Sequence, residues 1–261
     1  MITSLQNQQI KDVVKLANAR ERRKQNLFLI EGASELSMAV SEGDYSIIKM
    51  FVCEELLSIE AKLLIKKWSI PVENVSAEVF RKMAYRDESD GIIAVSKPKY
   101  LTLDAVLLSD NPFVIVLESV EKPGNLGAIL RTADAARADA VIVCDPKTDI
   151  FNPNIIRSSL GCVFTQQVAV CTSEEVLQWL KQAGIRVFAA TLSASKYYHQ
   201  TDFTQPSAIV MGTEAFGLTN FWIKNADTCI KIPMRGNIDS LNVSVSTAIL
   251  TFEAMRQRNF L

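Results

Sequence analysis

Short apolar runs alternate with amphipathic stretches along almost the whole chain. "LFLIEG", "IIKMFVC" and "GIIAVSK" are continuous apolar runs of strand length, while "ASELSMAVSEG", "EELLSIEAKLLIKKW" and "SAEVFRKMAY" carry apolar residues at helical spacing. With the short run "IPVENV" they form a first α/β series of about 95 residues, the size of an independent domain. Ahead of it, "QIKDVVKLANARERRK" predicts one exposed helix over residues 9–24. Pro98 and the polar-flanked stretch after it predict a linker at 99–111, dividing a domain at 1–98 from a second at 112–261. In the second series, strands are expected at 113–117, 140–144, 163–169, 186–190, 208–211 and 228–232. Helical patterns fall near 125–137, 152–160, 173–183 and 240–256. Strands apolar on both faces and separated by helices imply an α/β fold with a mostly parallel sheet covered on both sides. Sites in such sheets lie beyond the carboxyl ends of the strands.

Composition narrows this picture. A chain of 261 residues, 48% of them hydrophobic, can fill two cores. Its net charge of -1 gives no global field for nucleic acid, so any such contact must use a local patch. One patch exists: Lys11, Lys15, Arg20, Arg22, Arg23 and Lys24 face only Asp12 and Glu21, a local charge of +4. No apolar run approaches the roughly 20 residues that span a bilayer, and "MITSLQNQQIKD" lacks a signal-peptide core, so a cytoplasmic protein is expected. Five cysteines form no CxxC pair and read as buried free thiols; with one histidine, no metal site is expected.

Three strand-end motifs carry the candidate chemistry. In "VLESVEKPGNLGAILRTADA" a buried strand runs into a Pro-Gly turn, Asn125 is placed to cap a helix, and Arg131 follows near the same side of it. It is no GxGxxG fingerprint. In "AIVMGTEAFGL" a strand ends in a loop holding Glu214 between Gly212 and Gly217. The glycine spacing is that of a P-loop, but no lysine follows, which rejects an NTPase. In "IPMRGNIDSLNVSVSTAIL", Leu241, Val245, Ala248 and Phe252 would form the buried stripe of a last helix, with Ser240 and Asn242 in its first turn. Free backbone N–H groups there suit an anionic or carbonyl-bearing ligand.

The blocks "NLGAILRTADA", "NPNIIRSSLG", "VMGTEAFGL" and "IPMRGNIDSLNVSVSTAIL", in this order and spacing, resemble the SpoU (TrmH) branch of the SPOUT RNA methyltransferases. The stretch around "FLIEGASELSMA" is similar to that family's substrate-binding domain, itself similar to small RNA-binding ribosomal proteins. The resemblance implies transfer of a methyl group from S-adenosylmethionine to a ribose 2′-hydroxyl in ribosomal or transfer RNA, with the appended N-terminal domain favouring ribosomal RNA. It also implies a trefoil knot and a homodimer whose active site draws on both chains. Carried over by position, Asn125, Arg131, Glu214, Ser240 and Asn242 are the catalytic set. Thr191, Leu192, Gly212, Ile232, Met234 and Leu241 would hold the cofactor. Arg131 and the basic patch at 11–24 would contact RNA. Two departures stand out: Lys122 where an acidic residue is common, and Arg137 where glycine is usual. The competing readings are a non-catalytic RNA-binding protein of the same fold and an RNA base methyltransferase of the same superfamily.

Overall fold

The computed structural model describes residues 1–87 and 89–260. In chain order the elements are α1 (Gln8–Lys15), α2 (Ala19–Gln25), β1 (Phe28–Glu31), α3 (Ala33–Ser41), β2 (Ile47–Val52), α4 (Ile59–Lys67), β3 (Val72–Asn74), α5 (Ala77–Met83) and β4 (Ile92–Ser96). After a 3-10 turn at Leu103–Ala105 come β5 (Phe113–Glu118), α6 (Pro123–Ala135), β6 (Ala140–Cys144), α7 (Pro153–Ser158), α8 (Cys162–Thr165) and β7 (Val168–Cys171). The chain then forms α9 (Ser173–Gln182), β8 (Arg186–Ala190), β9 (Lys196–Tyr197), β10 (Ser207–Met211), α10 (Asn220–Asn225), β11 (Thr228–Lys231) and α11 (Val243–Gln257).

Two compact units result, one of Met1–Lys99 with Asp149–Thr165, the other of Tyr100–Thr148 with the chain from Gln166 onward. The first unit holds a mixed four-stranded sheet in the order β1-β4-β2-β3. Its N-terminal stretch is not the single helix expected. Asn18 accepts from the Arg20 backbone N–H at 2.8 Å and starts a second helix there. Arg22, only 4% exposed, turns inward: Nε donates to Asp149 at 2.6 Å, and Nη1 to the carbonyls of Leu16 and Ala17 at 2.8 and 2.9 Å. Those carbonyls are among the orphans at the end of α1, and the guanidinium satisfies them. Arg22 is therefore withdrawn from the basic RNA patch, and Lys15 is paired with Asp12 at 2.9 Å.

The expected strand at 163–169 is also corrected. Residues 162–165 are helical, and Phe164 joins Phe28, Tyr45 and Phe151 in an aromatic cluster of the first unit. Phe28 stacks on Phe151 with ring centroids 4.4 Å apart, and Tyr45 meets Phe164 edge-on at 5.0 Å. Only β7 remains of that prediction.

In the second unit seven strands pair in the order β7-β6-β5-β10-β8-β11-β9, every neighbouring pair parallel. The central strands are buried on both faces: Val114, Ile115, Val116, Leu117, Ile142 and Val210 are fully enclosed. The stretch at 99–111 is no free linker, since Leu101, Leu103, Val106 and Leu108 pack against this core. Burial pushes the Cys144 thiol up to about 12, and all five cysteines are free. Among the described residues, no helix is long and apolar enough to cross a membrane.

The last helix is locked at its far end. Arg258 follows α11, is 9% exposed, and donates to the carbonyls of Phe203, Asn111, Pro112 and Gln205 at 2.7–3.3 Å. Burial lowers its pKa, so the carbonyl dipoles carry the work of solvating the charge. The stripe expected on α11 is shifted. Val243, Thr247, Leu250, Thr251 and Ala254 are the buried residues, whereas Val245 and Phe252 are 48% and 41% exposed. The helix pairs with α6.

The second departure from the family pattern has a backbone cause. Arg137 follows the α6 C-cap with φ +50°, the left-handed region that glycine adopts without a Cβ penalty. Replacing Arg137 by Gly should therefore stabilise the second unit by about 1 kcal/mol, read as a raised denaturation midpoint.

Candidate active site

Four carboxyl ends, those of β5, β10, β8 and β11, lie side by side in the sheet. Strand order reverses between β5 and β10, which is where ligands bind in open parallel sheets. The loops leaving these ends carry the three motifs.

After β10 the loop 212–219 folds back on itself. Thr213 and Gly217 exchange backbone hydrogen bonds at 3.0 Å each, and Gly217 takes φ +67° to close the turn. A Cβ on Gly212 would lie 2.2 Å from the Gly217 carbonyl carbon, so only glycine fits there. The loop's far end is tied down by Glu118, which accepts from the Thr219 N–H at 2.8 Å and hydroxyl at 2.6 Å. Glu118 is 3% exposed. It was not among the predicted site residues, although a lone carboxylate closing the apolar run "FVIVLE" is an available signal.

Glu214 projects from this loop into a closed ring of side chains. Asn125 Nδ2 donates to Glu214 Oε1 at 3.0 Å, Asn242 Nδ2 donates to the same oxygen at 2.5 Å, and Asn242 also donates to Asn125 Oδ1 at 3.1 Å. Lys122 Nζ pairs with Oε2, the other oxygen. The Val243 backbone N–H adds a further bond to the carboxylate. The Lys122 ammonium, then the Asn125 amide and that N–H, hold the Glu214 carboxyl below the usual carboxylate range.

Two expected positions are corrected. Asn125 does not cap α6: the helix begins with Pro123 at its first position behind Lys122, which frees the Asn125 amide for the ring. Asn242 is the N-cap of α11, its Oδ1 accepting from the Ser244 N–H at 3.0 Å, so Ser240 precedes the helix instead of lying in its first turn. One amide thus starts a helix and closes the ring.

Beside the ring opens a cavity of about 610 Å³, within the range of small-molecule sites. Thr191, Leu192, Gly212, Ile232, Met234 and Leu241 all line it, as do Glu214 and Ser240. Phe216 stands at it 89% exposed. Arg131 lines neither this cavity nor the small hollow beside Asn125. It is exposed and has no hydrogen-bond or ion-pair partner among the described residues. The structure therefore joins Asn125, Glu214 and Asn242 directly, puts Ser240 in the same cavity wall as Glu214, and leaves Arg131 apart. The arrangement offers a cleft with both apolar and polar walls, one carboxylate held ionised, and two amides bound to that carboxylate.

Residues 112–252 match the SpoU rRNA Methylase family, and residues 7–94 match the MRM3-like substrate binding domain. The 23S rRNA (guanosine(2553)-2'-O)-methyltransferase RlmP of Bacillus subtilis is 31% identical over 254 residues, covering 96% of this chain and 97% of its own. An RNA 2'-O ribose methyltransferase crystal structure superposes with a TM-score of 0.88 at 38% identity, covering 99% of both chains. An AdoMet-bound rRNA methyltransferase from Sinorhizobium meliloti superposes equally, TM-score 0.88, at 30% identity over 98% of this chain and 97% of that one.

The ring should be sensitive to a single atom exchange. Asn242→Asp keeps the cap oxygen but removes both amide donors and sets a second carboxylate beside Glu214. The Glu214 titration should then move to higher pH in a ¹³C-carboxyl NMR titration. Because its pKa is depressed in the folded chain, the stability that Glu214 adds is complete above the ordinary carboxylate pKa. That stability is lost as pH falls through the lowered value. In the Asn242→Asp chain this contribution should be smaller, and its loss complete at a higher pH.

Proposed function

The chain belongs to the SpoU rRNA methylase family, and on that premise we propose that it methylates a ribose 2′-hydroxyl of ribosomal RNA, with S-adenosylmethionine as donor. The observation that carries this reading is the cavity at the carboxyl ends of β8, β10 and β11, with Glu214 of the Asn125–Glu214–Asn242 ring in its wall. The names of the relatives support the same substrate class.

The lining fits such a donor. Leu192, Ile232, Met234 and Leu241 offer apolar walls, and the Glu214 and Asp239 carboxylates at the same cavity suit a cation. When bound, the donor supplies a methyl group already activated on a sulfonium, so no metal is assigned a part. The protein's task is positioning. Asn125, held by Glu214 and Asn242, orients the ribose, and Ser240 borders the donor. Arg131 grips the neighbouring phosphate and stabilises the developing alkoxide charge while the hydroxyl passes its proton to that phosphate or to water; a guanidinium, which has no acceptor lone pair, is a donor in this step and not the base.

Arg131 reaches a site only if another copy supplies it. We assign a homodimer in which Arg131 of one chain completes the cavity of the other. The exposed Val245 and Phe252 on α11, which packs on the helix carrying Arg131, are the apolar surface available for that contact. The trefoil knot of the family is assigned to the C-terminal segment, and the insertion of β10 between β5 and β8 is in keeping with it. The first unit is assigned to RNA binding, with exposed Arg20, Arg23 and Lys24 and half-buried Lys11 as phosphate contacts. The protein is placed in the cytoplasm with its RNA.

Two experiments test this. Ribosomal RNA transcript incubated with the protein and labelled donor, then digested to nucleosides, should yield a 2′-O-methyl nucleoside by mass spectrometry; label on a base alone refutes the reading. Arg131→Ala and Glu214→Gln chains, each inactive, should regain part of the activity on mixing and refolding, since a heterodimer holds one intact site. Without recovery, Arg131 does not act across the interface.

A further inference from the structure

Glu214 divides its two oxygens between different partners. Oε1 takes both ring amides, from Asn125 and Asn242, while Oε2 meets only the Lys122 ammonium among the side chains. The terminal torsion of a glutamate is broad and nearly two-fold. Anchored through Oε1 alone, the carboxylate could rock or exchange its oxygens, and each such motion would carry the two amides with it. The ammonium removes that freedom and favours the acceptor-only, ionised form that two N–H donors require.

The placement of Lys122 makes this contact a built one. It occupies the N-cap position of α6 yet makes no side-chain capping bond, with Pro123 fixing the backbone just after it. Its side chain is 71% exposed and spans to a loop 92 positions away. The other titratable groups bordering this region are Glu121, in the hollow next to Lys122, and Asp239 and Lys231, in the cavity wall. Glu121 and Asp239 are acidic and the Lys231 ammonium lies over the Tyr197 ring, so Lys122 supplies the positive charge paired with Glu214.

We propose that Lys122 is a positioning residue for methyl transfer: by pinning Oε2 of Glu214 it keeps Oε1 bridging Asn125 and Asn242, and so holds the ribose-orienting amide in register. The proposal rests on the methyltransferase reading given above. It adds a residue outside the five carried over from the family pattern. It also turns the first departure from that pattern, a lysine at an often acidic position, into a working part of this chain.

The test compares wild type with Lys122→Met and Lys122→Arg on the full chain. One readout is the Glu214 carboxyl titration by NMR without RNA or donor; the other is the pH profile of kcat on ribosomal RNA. In Lys122→Met the Glu214 titration should move up in pH, the acid limb of kcat should move with it, and kcat on the neutral plateau should fall about tenfold. Lys122→Arg, which keeps a cation in reach of Oε2, should restore all three. An unchanged titration overturns the proposal, and so does a shifted titration with a wild-type kcat profile. Changes that persist in Lys122→Arg also overturn it. A wild-type enzyme that methylates no RNA sinks the underlying functional reading instead, and the titration then reports the ion pair alone.

Discussion

A carboxylate that accepts from two amides, an ammonium and a helix N–H has to be charged, and that requirement at Glu214 organises this site. Asn125 comes from the first turn of α6, Glu214 from the loop after β10 and Asn242 from the cap of α11, the most distant pair 117 positions apart. Each segment is shaped locally, by Pro123, by the Thr213–Gly217 pairing and by the Asn242 cap, and the shared carboxylate joins them. The sheet makes the meeting possible by laying β10 beside β5, so that the segments after both strands adjoin, while the ends of β10, β8 and β11 open onto one cavity.

Much of the architecture was legible because it rests on local patterning. The parallel strands are continuous apolar runs bounded by glycine or polar residues, and five of the six predicted in the second unit fall within a residue of their observed limits. The misreadings share a cause: a long-range partner overrode the local pattern. Residues 163–165 read as strand until Phe164 is seen in an aromatic cluster with residues more than a hundred positions earlier. The basic run at 11–24 read as one exposed helix facing RNA, yet Arg22 is claimed by Asp149 and by carbonyls left open after the preceding helix. On α11 the predicted apolar stripe missed by one face, because the buried side uses Thr247 and Thr251, which a hydropathy pattern counts as polar.

The candidate site divides in the same way. All six residues expected around the cofactor line one cavity, because loops at strand ends converge wherever the strands are parallel neighbours. Arg131 could not be placed from spacing, since helical phase says where a side chain points and nothing about what lies opposite it. Lys122 and Glu118 were legible as residue types and opaque as partners: the lysine bonds a loop 92 positions on, and the glutamate one 101 positions on.

Arg258 ties the site to the opposite end of the sheet. Its guanidinium clasps carbonyls at 111–112 and 203–205 from just beyond the helix that Asn242 begins. Those two segments lead into β5 and β10, the strands whose carboxyl ends run on to Asn125 and Glu214. The helix whose cap closes the amide ring is thus fastened, at its other end, to the amino ends of the strands that deliver the ring's other two members.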